Sequence, residues 1–349
     1  MLKRLMHPQE NVMFLNQEDD ALLASMKRDL EEGVIQFQYN SCPCGSGEEE
    51  TFSEVDRLGV CFRYVICRDC GLIRANPFMT KESTGYFYGR YYENLYHKYS
   101  GHPPLSYDEV FDRGVARSEN TILPMLEYPK NKEILMIGGR TGAVLYPFLE
   151  YDNRVHLIDY EKDSLEYAKR KGIVTYEGDY KDIELSQKFD IIILDSVAEH
   201  FLDIKKELVH LHKLLSEDGL VLINVPDAGK MDTIYTFSDV RKEIILCHSY
   251  YFSKESLENT AAMVGFELQK SQYRVLPHFL MCLYRKGERK SDGIYPKGSI
   301  YKKMMNKLFW TELRYKFFKA IHLEYLQNTF EPKFRNNKIV TGVYRKLFH

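Results

Sequence analysis

Short apolar runs alternate with amphipathic stretches along the middle of the chain, from residue 133 onward. Unbroken apolar runs are typical of buried strands, and apolar residues repeated every three or four positions are typical of helices. Strands are predicted at 133–138, 154–159, 173–177, 189–195 and 219–225, with helices at 142–150, 162–171, 203–215 and 254–264. Two further runs, 266–274 and 278–285, flank Pro277 and predict a closing antiparallel pair. This alternation predicts an α/β fold built on a parallel sheet.

Amphipathic patterns also predict structure outside this region. A helix over 19–32 places Leu22, Leu23, Met26 and Leu30 on one face, and further helices are predicted over 107–126 and 300–326. A tyrosine-rich connector, 86–107, is expected to act either as a lid or as an interface between domains. The predicted segments are helical (1–40), cysteine-rich (41–80), a connector or lid (81–126), α/β (127–286) and a basic aromatic tail (287–349).

Composition narrows the class of protein. Hydrophobic residues make up 44% of the 349 positions and charged residues 28%, as in soluble globular proteins of more than one domain. The formal charge of -2 does not suggest a nucleic-acid binder. The first residues lack the apolar core of a secretory signal, and no apolar window is long enough to span a membrane. We therefore expect a cytoplasmic protein.

Four cysteines form two closely spaced pairs. Cys42 and Cys44 are separated from Cys67 and Cys70 by 22 residues, and a glycine follows each pair. Two short turns that each present two thiolates supply the tetrahedral ligands that zinc prefers. Such a site would be structural, since four thiolates leave no open position. The first pair is one residue shorter than the usual C-x-x-C, so Cys61 is an alternative ligand, and buried free thiols are the alternative to a zinc ribbon.

Polar residues and glycines follow the predicted strands of the α/β region. The first strand runs into a glycine turn at 138–142, and Asp159 ends the second about twenty residues later. Such a turn lets a ligand approach the backbone, and an acid at that distance can bind a ribose diol. Further polar residues follow the third and fourth strands: Asp179, Tyr180, Asp195, Ser196, Glu199 and His200.

The segment 133–287 resembles class I S-adenosylmethionine-dependent methyltransferases. The glycine turn, the acid after the second strand, the Asp after the third, the Glu-His pair after the fourth and the run LLSEDGLVLINVP have counterparts there in the same order. The later run HSYYFS, followed by Gly265 and Phe266, also matches. The cysteine pairs, ending in CGLIRANP, resemble the N-terminal zinc-binding segment of a subset that includes C-methyltransferases of nucleotide-linked deoxysugars. The resemblance covers roughly two thirds of the chain.

The resemblance implies a Rossmann-like sheet that binds S-adenosylmethionine. The three glycines of the turn would face the methionine end, Asp159 would hold the ribose, and Asp179 with Tyr180 would contact the adenine. The expected cofactor-binding residues are Gly138, Gly139, Arg140, Gly142, Asp159, Tyr160, Asp179, Tyr180, Asp195 and Ser196. Two positions depart from the family pattern: Arg140 replaces a glycine and Met136 replaces an acid. Arg140 would clash with the ligand, swing outward or pair with the cofactor's carboxylate.

Methyl transfer to a hydroxyl or an activated carbon needs an aligned nucleophile and often a base. His200 with Glu199 is the first catalytic candidate, and His248 with Tyr251 is the second; helix capping and packing are the alternatives. We expect a methyltransferase acting on a small hydroxylated substrate, and the resemblance of the cysteine segment implies that this substrate is a nucleotide-linked or surface-glycan sugar. The competing hypothesis is a degenerate methyltransferase fold that serves as a scaffold in a glycan pathway. The basic tail would contact a membrane surface peripherally or pack on the domain.

Overall fold

The computed structural model describes residues 5–6, 11–13, 15, 17–97, 106–231, 239–273 and 279–320. Pro277 and the residues after 320 lie outside these ranges. Within the described ranges, no helix combines the length and the apolar character that a membrane crossing requires.

The N-terminal part is a helix followed by a small antiparallel sheet. Helix α1 spans Gln17–Glu31, which confirms the predicted helix, and buries Leu23 and Met26. The strands are β1 (Phe37–Gln38), β2 (Glu49–Val55), β3 (Cys61–Cys67), β4 (Ile73–Ala75) and β5 (Phe78–Met79). β2, β3 and β4 pair antiparallel in chain order, and β1 pairs with β5.

The connector is helical where the structure describes it. Helix α2 (Lys81–Phe87) continues into a π-helical stretch, Tyr88–His97. Helix α3 (Tyr107–Arg117), a π-helical turn (Ser118–Ile122) and α4 (Leu123–Met125) then form one continuous helical segment, which confirms the helix predicted over 107–126. A capping box between Ser106 and Glu109 starts α3, because each side chain accepts a hydrogen bond from the other residue's backbone N–H.

The α/β part follows the apolar runs closely. It contains β6 (Glu133–Ile137), β7 (Arg154–Asp159), α5 (Lys162–Arg170), β8 (Val174–Glu177), β9 (Phe189–Asp195), α6 (Ile204–Leu214), β10 (Leu215–Pro226), β11 (Tyr250–Tyr251), α7 (Lys254–Ala262), β12 (Phe266–Tyr273), β13 (Phe279–Lys286) and α8 (Ser299–Ala320). The five predicted strands and the closing antiparallel pair are therefore confirmed. The short runs succeed as predictors because buried parallel strands are apolar on both faces.

The seven-stranded sheet has the order β12-β13-β10-β9-β6-β7-β8. The pairs β6–β7, β7–β8, β6–β9 and β9–β10 are parallel. β13 is antiparallel to both of its neighbours, β10 and β12. The carboxyl ends of the five parallel strands β6–β10 consequently meet at one edge of the sheet, which is where open α/β sheets bind ligands.

The helix predicted over 142–150 is wrong. A turn follows Gly142, and a 3-10 helix then spans Tyr146–Tyr151. Gly142 has a positive φ of 70°, and Pro147 has no N–H to donate within a helix. These two residues interrupt a segment whose apolar periodicity is helical.

The small sheet and the α/β part share structure. β11 comes from the segment between β10 and α7, yet it pairs with β4, where Tyr250 lies opposite Arg74. One apolar cluster contains Met26 of α1, Tyr64 of β3 and Tyr251 of β11, together with Met304 and Leu308 of α8. The N-terminal segments and α8 therefore pack around the same core as the end of the α/β part.

Asp56 ties the connector to the small sheet. This buried carboxylate accepts hydrogen bonds from the backbone N–H groups of Leu58 and Val60, both at 2.9 Å, and from the Tyr96 hydroxyl at 2.6 Å. Its removal would leave three buried donors without their partner, and unmade buried hydrogen bonds cost more than formed ones contribute.

We expect Asp56→Ala to lower the free energy of unfolding by about 3 kcal/mol or more, because three buried donors lose their acceptor. Urea unfolding followed by circular dichroism measures the change. Glu54→Ala is the matched control, since Glu54 is an exposed carboxylate on the neighbouring strand, and it should change the free energy by less than about 0.5 kcal/mol. Equal stability of the two variants would contradict this role of Asp56.

Candidate functional site

A glycine turn at the end of β6 approaches the segment that follows β9. Gly138 has a φ of 70°, and its N–H donates to the Ile158 carbonyl at 2.8 Å. A Cβ added to Gly138 would lie 2.7 Å from a methyl of Val197. One added to Gly139 would lie 2.7 Å from Leu157, and one added to Gly142 would lie 2.5 Å from Ile173. Only glycine fits at these three positions, because the turn packs closely against the neighbouring side chains.

Arg140 directs its side chain away from the turn. Its Nε donates to Glu161 at 3.3 Å, and its Nη1 lies 3.9 Å from a carboxylate oxygen of Glu93. Arg140 has a φ of 47°, in the left-handed region, and its backbone N–H donates to Asp159 at 2.8 Å. Of the three alternatives for Arg140, the structure therefore has the outward one.

Asp159 holds the turn against the end of β7. One carboxylate oxygen accepts the Arg140 N–H, and the other accepts the N–H groups of Tyr160 at 2.7 Å and Glu161 at 3.0 Å. An ionised carboxylate accepts about four hydrogen bonds, so the described residues leave one acceptor position of Asp159 for a ligand. The neighbouring Tyr160 ring is 70% exposed and lies at the same edge.

Asp179 and Tyr180 occupy different environments. Asp179 accepts from the Lys81 ammonium at 3.2 Å and from the Lys181 N–H at 3.1 Å. Tyr180 is only 5% exposed, and its hydroxyl donates to Glu207 in the core. This placement differs from the expectation of an adenine contact, because the ring of Tyr180 packs inside the protein. Tyr160 presents the exposed aromatic ring at this edge instead.

Asp195 at the end of β9 is buried and paired. It accepts from the Asn224 amide at 2.5 Å and from the guanidinium of Arg117, which comes from α3. Ser196, the next residue, has a φ of 59° and donates its N–H to the Asn224 carbonyl at 2.8 Å. Sequence reasoning missed Arg117, since nothing in its local pattern distinguishes it from Arg113, the other cation of its helix.

The Glu199–His200 pair lies in a short 3-10 helix, Ala198–His200, after β9. The Nδ1 atom of His200 lies 3.0 Å from the Cys247 carbonyl and 2.8 Å from the Tyr88 hydroxyl. The rings of His200 and His248 are 4.8 Å apart between centroids. Tyr88 belongs to the tyrosine-rich connector that was expected to be a lid or an interface, but its contact with His200 was not predicted. Cys247 was missed by the sequence analysis, because it reaches His200 only through the tertiary fold.

Burial dominates the electrostatics of this cluster. It lowers the pKa of His200 to about 4 and holds the pKa of His248 well below its usual value. It raises the pKa of Glu199 to about 8, so this carboxyl is mostly protonated at neutral pH. The cluster is therefore polar but largely uncharged.

Two atoms of the cluster have unused hydrogen-bonding capacity. Among the described residues, neither Oε2 of Glu199 nor Nδ1 of His248 has a hydrogen-bond partner, although both atoms are buried. Buried polar groups are rarely left unpaired, so these atoms are candidates for contacts with a ligand.

Tyr251, the other predicted catalytic residue, has its hydroxyl occupied. Its ring centroid lies 5.3 Å from that of His248, and its hydroxyl accepts a hydrogen bond from the Ile245 N–H at 2.5 Å. Its hydroxyl is thus engaged with the backbone.

The four paired cysteines converge on one point. The Sγ–Sγ distances are 3.4 Å for Cys42–Cys70, 3.4 Å for Cys42–Cys44 and 3.7 Å for Cys44–Cys67. A tetrahedral zinc ion with Zn–S bonds of about 2.3 Å places its sulfurs about 3.8 Å apart, so the four thiols fit zinc. Cys61 is exposed and lies outside this group.

The turns of the two cysteine pairs are closed by backbone hydrogen bonds. The Gly45 N–H donates to the Cys42 carbonyl at 2.8 Å, and the Gly71 N–H donates to the Cys67 carbonyl at 2.9 Å. Both glycines have positive φ values, 80° and 68°. The shorter first pair thus still presents both of its sulfurs to the cluster.

Comparison with known proteins supports the α/β assignment. Residues 112–271 match a family model described as a methyltransferase domain. Polyamine aminopropyltransferase 1 of Aquifex aeolicus is 29% identical over 148 residues, which are 37% of this chain and 46% of that protein. Polyamine aminopropyltransferase of Pyrobaculum aerophilum is 25% identical over 157 residues, 38% of this chain and 52% of that protein. The matched region spans about half the length of these curated relatives.

Among solved structures, 1,6-didemethyltoxoflavin-N1-methyltransferase of Burkholderia thailandensis is 16% identical, with a TM-score of 0.45. The match covers 63% of this chain and 97% of that one.

The family match and the observed strand order agree on the architecture. The mixed sheet, with β13 as its antiparallel member, is flanked by helices. A four-cysteine cluster compatible with a zinc ribbon lies in the N-terminal part of the chain. The chain has a Rossmann-like class I methyltransferase fold.

Proposed function

We propose that this protein is an S-adenosylmethionine-dependent methyltransferase whose acceptor is a small hydroxylated molecule, a nucleotide-linked or surface-glycan sugar. One observation carries the proposal: the glycine turn lies directly against Val197, in the segment that bears Glu199 and His200. A turn suited to the cofactor therefore adjoins a buried polar cluster suited to an acceptor. The sugar follows from the resemblance of the cysteine segment to that of sugar C-methyltransferases.

The carboxyl edge of the sheet would hold the cofactor. S-adenosylmethionine supplies a methyl group on a sulfonium that is already activated for displacement. The backbone of the glycine turn, including Gly138, would approach its methionine end, and the remaining acceptor position of Asp159 would take a ribose hydroxyl. The exposed ring of Tyr160 would cover the adenine, and Asp195 with Ser196 would close the site at β9.

His200 would accept a proton from the methyl acceptor. Because a carbonyl oxygen only accepts hydrogen bonds, the contact with Cys247 assigns the proton of the neutral imidazole to Nδ1. The lone pair then lies on Nε2, the atom available to a substrate hydroxyl. The protonated Glu199 carboxyl would donate a hydrogen bond to the acceptor, and His248 would offer Nδ1.

The charge of the cluster distinguishes between acceptor classes. The curated relatives are named polyamine aminopropyltransferases, and a polycationic acceptor would require ionised carboxylates. Here burial keeps Glu199 mostly protonated, and Asp195 is paired with Arg117. These features favour an uncharged, hydroxylated group at the reacting centre.

We also propose that the four-cysteine cluster holds a structural zinc ion. Cys67 ends β3 and Cys70 precedes β4, so a shared ion would fix the turn between two strands of the small sheet. Four thiolates close the coordination sphere, which suits a structural role.

Calorimetric titration with S-adenosylmethionine and S-adenosylhomocysteine tests the cofactor site. We expect micromolar binding by the zinc-loaded protein and a loss of at least about tenfold in affinity for Asp159→Ala, which removes the ribose acceptor and loosens the turn. Arg140→Ala should bind within about threefold of the unmodified protein, because its guanidinium already lies outside the turn. Absence of binding to the unmodified protein would favour the scaffold hypothesis, particularly if Arg140→Gly restored it.

Transfer of a radioactive methyl group to a panel of UDP-, GDP- and dTDP-linked sugars tests the acceptor site. We expect His200→Ala to lower turnover by about 100-fold or more, since it removes the proton acceptor. Its affinity for the cofactor should be nearly unchanged. His212→Ala is the matched control, because His212 packs on Phe266 in the last turn of α6, before the start of β10. Cofactor binding without transfer to any of these sugars would refute a nucleotide-linked sugar as the acceptor and leave the surface-glycan sugar.

Metal analysis of the purified protein tests the cysteine cluster. We expect about one zinc ion per chain, falling to near zero in Cys67→Ser and Cys44→Ser together with a lower melting temperature. Cys61→Ser should keep its zinc, because Cys61 is exposed and outside the cluster. Full zinc content in the Cys44→Ser and Cys67→Ser variants would show that these thiols are not ligands.

A further inference from the structure

Helix α8 has two apolar faces. On one face, Ile300, Met304 and Leu308 are buried in the cluster that contains the small sheet. On the other, four large apolar side chains are half or more exposed: Phe309 60%, Trp310 55%, Leu313 50% and Phe317 60%. We call these four residues the exposed α8 face.

The geometry of an α-helix sets these two faces opposite each other. With 3.6 residues per turn, the four side chains of the exposed α8 face fall within an arc of about 100°. The buried residues Ile300, Met304 and Leu308 point to the other side of the helix axis. The exposed α8 face is thus a contiguous apolar patch, and contiguous patches mark interaction sites more often than scattered apolar residues do.

The charge around the patch indicates what it contacts. Helix α8 carries six basic residues, Lys302, Lys303, Lys307, Arg314, Lys316 and Lys319, and one acidic residue, Glu312. Glu312 pairs with Lys316 at 3.9 Å, and the Lys303 ammonium is bonded to Glu255 of α7. Basic residues therefore outnumber acidic ones by five on α8. A second copy of the same face would bring these cations together, whereas an anionic lipid surface would complement them.

We propose that the exposed α8 face docks the protein onto the surface of an anionic lipid bilayer, with α8 lying in the plane of the interface. Phe309, Trp310, Leu313 and Phe317 enter the headgroup region, and the lysines beside them contact lipid phosphates. The charge of α8 fits a helix that lies on the bilayer and does not cross it. The opposite face keeps the rest of the fold attached through Met304 and Leu308.

The chain offers its own reporter, because its single tryptophan, Trp310, belongs to this face. The full-length protein is mixed with vesicles of phosphatidylcholine and phosphatidylglycerol, and separately with phosphatidylcholine alone. We expect a blue shift of the tryptophan emission and protection from acrylamide only with the anionic vesicles. High salt should weaken this binding several-fold, because it screens the lysine–phosphate contacts.

The variant Phe309→Ser/Leu313→Ser/Phe317→Ser keeps Trp310 as the reporter and removes most of the apolar area. We expect it to lose about tenfold or more in affinity for the anionic vesicles. Tyr39→Ser/Val209→Ser removes exposed apolar side chains elsewhere and should bind as the unmodified protein does. Calorimetry with S-adenosylhomocysteine in the absence of lipid should give the same result for both variants, which separates docking from the proposed cofactor site.

Several results would overturn the proposal. Unchanged tryptophan emission with anionic vesicles would do so, as would equal vesicle affinity of the triple variant and the unmodified protein. Self-association that the triple variant abolishes, without vesicle binding, would assign the face to a second copy of the chain. Protection of Trp310 from acrylamide before lipid is added, removed by truncation after Ala320, would assign it to residues 321–349.

Discussion

Parallel pairing of β6 with β7 and β9 is the constraint on which the candidate site depends. Parallel strands end at the same edge, so the glycine turn, Asp159 and the Glu199–His200 segment are brought together although they are distant in sequence. The contact between Gly138 and Val197 sets how closely two of these segments approach. A side chain at Gly138 would push the Glu199–His200 segment away from the glycine turn.

The small sheet contributes to the same site through β11. Pairing of β11 with β4 positions the segment that contains Cys247 and His248, and the Tyr64 hydroxyl donates to the Ile245 carbonyl at 2.6 Å. The cysteines Cys42 and Cys70 pack in the same apolar cluster as residues of β10 and β11. A metal in the cysteine cluster would therefore stabilise the backbone that carries His248.

The sequence alone predicts the sheet because burial on both faces leaves apolar runs at β6, β7, β9 and β10. The cysteine spacing likewise predicts four convergent thiols, since both pairs are local. The helix expected over 142–150 fails because Gly142 and Pro147 override the apolar period. The position of Tyr180 and the contacts of Arg117 and Cys247 arise from tertiary packing, and no local pattern encodes them. Residues whose partners lie on other elements were thus the ones that sequence reasoning missed or misplaced.

The helical stretch 81–97 runs along the carboxyl edge of the parallel strands and contacts three of the loops there. Lys81 contacts Asp179 after β8, Tyr88 contacts His200 after β9, and Glu93 lies beside Arg140 after β6. One helical segment thus bridges three of the loops around the candidate site. If the proposed cofactor binds beneath these bridges, they would affect how fast it exchanges as well as how tightly it binds, because release would require at least one of them to open.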